Sequence, residues 1–161
     1  MSARQLLLFG GIALAVLGMT YGLWYAVFAE HQALDGIGMS LTSGFQAAAD
    51  RNPAGAENAL LQYRQAKYKY DRHVDVHGHW LGLSMLLIVL AIAADQISIA
   101  EKWKLPLALG LFLGSVLFPF GVLMQTWSHA TLPRAVAIAG SALIIASLSG
   151  MVLGFLRRGE T

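Results

Sequence analysis

Residues 77–96 read HGHWLGLSMLLIVLAIAADQ, and the way this stretch meets a membrane decides the fold. From Trp80 to Ala94 it carries no ionisable side chain. That run of about 15 residues falls short of the roughly 20 that cross a hydrocarbon core. A crossing helix must draw polar residues in at one end, either His77 and His79 or Asp95 and Gln96. An ionisable residue at membrane depth is costly, so it marks a functional candidate.

Outward from that stretch, three more apolar runs appear: Leu6 to Phe28, Leu105 to Met124, and Ala135 to Leu156, the last stopped by Arg157 and Arg158. The 161-residue chain is 57% apolar and only 12% charged, with a mean hydropathy of +0.59. Soluble domains carry about 25% charged residues. The expected fold is therefore all-α: a single integral membrane domain built as a four-helix bundle. The spans are expected at about 6–28, 77–97, 105–124 and 133–156, with a helical extramembrane loop at about 29–75. The first run exceeds the roughly 7–15 apolar residues of a signal peptide and reads as a retained helix.

The loop has its own pattern. Asn52-Pro53 is a break, and Ala56, Ala59, Leu60, Tyr63, Ala66 and Tyr70 recur at three- and four-residue steps after it. A helix over about 54–72 is expected, running into the second span because no proline intervenes. Met39 to Ala49 reads as a shorter helix, entered through a turn at Asp35 to Gly38.

Four crossings put both termini on one side. Arg4, Lys102, Lys104, Arg157 and Arg158 flank the spans there, while the loop's charges nearly balance and Arg134 stands alone opposite. The positive-inside rule then expects cytoplasmic termini and a periplasmic loop. Trp24, Tyr25, Trp80 and Trp127 are expected in the outer aromatic belt and Trp103 in the inner one.

The absence of cysteine excludes disulfides, thiolate metal sites, iron–sulfur clusters and covalently attached haem. A net charge of +2 with no basic-aromatic patch gives no case for nucleic acid. No nucleophile elbow, phosphate-cradling glycine loop or HExxH occurs, so neither a hydrolase nor a transferase is expected.

Histidine placement carries the chemistry. His31 follows the first span, His73, His77 and His79 open the second, and His129 lies between the third and fourth. All five therefore gather at one membrane face. Neutral imidazole ligates haem iron, copper and zinc, and helix bundles commonly hold such groups between helices. His79 shares a stripe with Asp75, Gly82 and Leu86, and a glycine one turn below a histidine leaves room for a flat macrocycle. His79, His129, His77 and Gly82 are the candidate cofactor residues, with His129 the candidate opposite ligand and Asp75 the candidate acceptor for the other ring N–H of His79. His73 and His77, four residues apart, form with Asp75 a candidate copper or zinc set. Gly78 with Gly82, Gly110 with Gly114, and the Gly140, Ser147, Gly154 stripe are small-residue packing patterns.

His77-Gly78-His79-Trp80-Leu81-Gly82 resembles a signature of small bacterial four-helix membrane proteins related to the second helix of haem–copper oxidase subunit I. Trp24-Tyr25-Ala26-Val27-Phe28-Ala29-Glu30 is similar to the end of the first helix in those proteins. The resemblance covers about a quarter of the chain and implies haem b ligation by His79, or by His77 if the register slips. It also implies a multi-pass protein of the bacterial inner membrane. The chain departs from that pattern in its longer loop, Gln32 to Arg72, and in lacking a second, deeply placed histidine.

Three functions compete. The first is a b-type haem protein near the periplasmic face, serving electron transfer or redox and ligand sensing; if redox-active, it is an electron-transfer subunit. The second is a cofactor-free accessory subunit of a larger membrane complex, or a homo-oligomer, in the lipid bilayer. The third is a copper- or zinc-handling protein.

Overall fold

In a computed structural model the described residues are 1–128 and 130–158, with side chains to Leu156. They form five α-helices: α1 Ala3–Phe28, α2 Glu30–Ala49, α3 Pro53–Ala93, α4 Glu101–Met124 and α5 Thr131–Arg158. A short 3-10 turn, Ala94–Gln96, follows α3, and no strand occurs among the described residues. Four helices, all but α2, are long and apolar enough to cross a membrane.

Local chemistry explains the boundaries. Ser2 and Gln5 form a capping box at the start of α1, each side chain bonding the other's backbone N–H. Ala29 alone separates α1 from α2. Arg51 adopts a left-handed φ of 52°, and Asn52 then caps α3 by accepting from the Gly55 N–H at 3.0 Å, with Pro53 in the first turn. The expected break at Asn52-Pro53 and the unbroken run from loop helix into second span are both observed, as a single 41-residue helix.

The hairpin of α2 on the first half of α3 stands at one end of the bundle. Here one expectation is corrected: Asp35 to Gly38 is not a turn, since α2 is helical from Glu30. Gly44 meets Ala59 across the hairpin at ordinary contact distance, so packing against α3 sustains the helix where glycine propensity alone would not.

In lipid, helices associate through close packing rather than through a hydrophobic drive. Glycines accordingly line both main seams. Along α1 against α3, Gly11 faces Ser84 and Leu87, and Gly18 faces Trp80 and Leu81. Between α4 and α5, Gly110 faces Ser147, Gly114 faces Gly140 and Ile144, and Gly121 faces Ala137. Helix α4 touches α1 and α3, whereas α5 packs broadly only on α4.

An exposed ion pair, Arg4 with Asp95 at 3.1 Å, sets the level of the end opposite the hairpin. A 30 Å core is about 20 helical residues. Counted from that pair, it reaches Trp24 on α1 and Asp75 on α3. His77 and His79 fall inside it, and His73 falls at its edge. Asp95→Cys in this cysteine-free chain should react with a membrane-impermeant maleimide from the side carrying the termini, whereas Leu87→Cys should not. Labelling of Asp95→Cys only from the side carrying α2 would contradict that level.

The aromatic belt also needs correction. Trp24, Trp103 and Trp127 are exposed, but Tyr25 and Trp80 are 6% and 5% exposed. They face the α1–α3 seam, where Trp80 meets Tyr21 edge-on at 5.3 Å, because the antiparallel register turns both residues inward.

Candidate functional site

Successive helical residues turn by about 100°, so His73 and His77 point one way from α3 and His79 another. The structure gives these three rings three different surroundings.

His77 turns into the α1–α3 seam. Its Nδ1–H donates to the Gly18 carbonyl oxygen at 2.9 Å, and the ring fills the space that a Cβ on Gly22 would need. The carbonyl can only accept, so Nδ1 carries the proton. The bare backbone at Gly22 makes room for this ring, and the Gly18 carbonyl, one turn earlier on α1, holds it. It is a packing position, locked by a bond to backbone.

His73, one turn away, is hydrogen-bonded through Nδ1 to the Tyr21 hydroxyl and stacked on Tyr25 at 4.7 Å. Tyr70 joins Tyr25 at 6.4 Å. Sequence reading puts Tyr25 in the outer aromatic belt and singles out nothing at Tyr21. The register set by Arg4 and Asp95 brings Tyr25 level with His73 and puts Tyr21 just over one turn deeper. Just outside the core, Lys67 and Asp71 pair at 2.8 Å, and that hydrogen bond raises the Lys67 ammonium above its ordinary range.

His79 faces outward, beside α4. Its Nδ1–H donates to the Asp75 backbone carbonyl one turn back, and Phe118 meets the ring edge-on at 4.8 Å. Among the described residues its Nε2 makes no hydrogen bond. The expected acceptor is thus the right residue but the wrong group, because the Asp75 carboxylate turns to Arg72 at 3.4 Å. Among the described residues, no heavy atom apart from the adjoining residues and the backbone of α3 itself lies within 4 Å of where a Cβ would stand on Gly78 or Gly82. The result is an open groove of about 490 Å³ lined by Val74, Asp75, Gly78, His79, Gly82 and Leu83. His79 and Gly82 are brought together as the stripe expects.

The expected copper or zinc set is not assembled. Among the described residues no group of three His, Asp or Glu is placed to hold a metal ion. The candidate set is dispersed: His73 is bonded to Tyr21, His77 to Gly18, and the Asp75 carboxylate to Arg72. His31 is exposed. His129 lies outside the described residues.

No family model matches this chain, and neither the curated proteins nor the solved structures contain a significant match to it.

Proposed function

We propose that this chain is a b-type haem protein of the bacterial inner membrane, with cytoplasmic termini, a periplasmic hairpin and His79 as the iron ligand. One observation carries the reading: His79 presents an unbonded Nε2 over a face that two glycines leave open. Tethering Nδ1–H to the Asp75 carbonyl fixes the tautomer, orients the ring and makes Nε2 the more basic ligand atom. Phe118 props the ring from its edge. Gly78 and Gly82 allow a flat group to approach the backbone within the groove.

Among the described residues the donor set suits haem on one side only. The rings of His73 and His77 are packed in the α1–α3 seam, where His73 stacks on Tyr25 and His77 fills the space beside Gly22. A haem there would supply an iron centre for a small ligand or a single electron. One histidine donor among the described residues favours ligand sensing over electron transfer.

The protein purified in detergent from haem-sufficient cells should show a Soret band and about one haem per chain by pyridine haemochrome assay. Absence of the band would remove the proposal. It would leave a second reading, which the same face favours independently. Gly78 and Gly82 are a small-xxx-small pair with none of the other described helices packed on them, the pattern that admits a helix of a larger membrane complex or a second copy.

A further inference from the structure

Beside His73 lies a second cavity, of about 510 Å³, between the end of α1, α2 and the outer half of α3. We propose that it binds the headgroup of a membrane quinone. Four observations lead there, none of which depends on haem at His79.

The first is an orphaned polar atom. Tyr25 forms part of the cavity wall, is 6% exposed, and its buried hydroxyl has no hydrogen-bond partner among the described residues. Buried hydroxyls are normally bonded, because leaving one unpaired is unfavourable. A ligand oxygen in the cavity would meet that need.

The second is the chemistry of the wall. Gln32, Gln62 and Gln65 line it together with Tyr25 and His73, and every one of these side chains can both donate and accept. Lys69 is the sole obligate donor, and no carboxylate lines the wall. A quinone offers two acceptor oxygens, whereas its quinol offers two hydroxyls that also donate. A wall of ambivalent groups accommodates both forms; a fixed anion site or cation site would not need it.

The third is depth. Counted from the Arg4–Asp95 pair, the wall runs outward to Lys69, Gln65 and Gln62, about 9–20 Å beyond the hydrocarbon edge, but its inner end, Tyr25 and His73, lies within about 3 Å of that edge. That is where an amphiphile with an isoprenoid tail holds its polar ring. The fourth is continuity: the bond from His73 Nδ1 to the Tyr21 hydroxyl links the cavity wall to a group inside the bundle. Either ring tautomer can complete this bond, so the His73 Nε2 can face the ligand as donor or as acceptor.

The test uses the full chain in detergent and a ubiquinone analogue with a ten-carbon tail, its binding read by quenching of tryptophan fluorescence. Trp24 and Trp80 stand 5.8 Å and 5.3 Å from Tyr21, close enough to the cavity to respond. Saturable binding is expected, weakened about tenfold by Tyr25→Phe, the effect of one lost hydrogen bond. The same substitution should leave the denaturation midpoint unchanged or raised, since it removes only an unpartnered hydroxyl. Ala66→Phe, which places a ring in the cavity while leaving every polar wall residue in the sequence, should weaken binding more strongly. Three results would overturn the proposal: quenching that never saturates, affinity that neither substitution alters, or equal affinity for the water-soluble ring acid 4-hydroxybenzoate. The last would make the cavity a site for soluble ligands.

Discussion

Gly140→Leu should detach α5 from the rest of the bundle. A Cβ at this position would overlap the backbone nitrogen and Cα of Phe118, and backbone cannot swing away as a side-chain end can. The seam is equally tight on the other side, where a Cβ on Gly114 would stand 2.7 Å from the Gly140 carbonyl oxygen. Overpacking a close contact costs about 1–3 kcal/mol, and more when the neighbours cannot repack. Because α5 packs broadly only on α4, no other helix holds it in place. We expect a loss of about 3 kcal/mol in detergent unfolding and faster proteolysis of the α4–α5 connection. Ile138→Ala, at a position 62% exposed, is the control and should change little. Wild-type stability in Gly140→Leu would mean that the seam is misplaced.

Gly22→Val is the second large effect, and it tests how His77 is used. Valine at 22 would occupy the space of the imidazole, driving the ring out and breaking its bond to the Gly18 carbonyl. Overpacking of about 1–3 kcal/mol adds to a helix–helix hydrogen bond averaging about 0.6 kcal/mol in membranes. A destabilisation of about 2 kcal/mol is expected. The two residues should also be coupled: once His77→Ala has emptied the slot, Gly22→Val should cost at least about 1 kcal/mol less than it does alone. Additive effects would contradict the slot.

The four spans and the unbroken α3 were legible because apolar run length and 3.6-residue periodicity are local properties. Asn52-Pro53 was legible for the same reason, as cap and first-turn chemistry need only two residues. Helix α2 was not: Gly36 and Gly38 read as breakers, and only the packing of α2 against α3 makes them helical. Tyr25 and Trp80 read as belt residues by type, but their burial depends on which way the α1–α3 register turns them. Topology alone puts the histidines at one face. Their separate surroundings required the third dimension, since nothing in the sequence near His77 announces that Gly22, 55 residues earlier, leaves room for its ring or that the Gly18 carbonyl accepts its bond. The expected copper or zinc set dispersed for this reason: a four-residue spacing aligns His73 and His77 on one face, but that face meets α1.

The division of labour among the histidines is most directly tested by the Soret absorbance of three variants, each purified alongside the wild type. His79→Ala should abolish the band and leave the protein folded, because the ring's hydrogen bond is to its own helix and its ring contact is to Phe118 alone among the described residues. His77→Ala should lower stability yet retain the band per folded chain, and His73→Ala should retain it too. A Soret band that survives His79→Ala unchanged, or one that vanishes with His73→Ala alone, would contradict the assignment of His79 as the ligand.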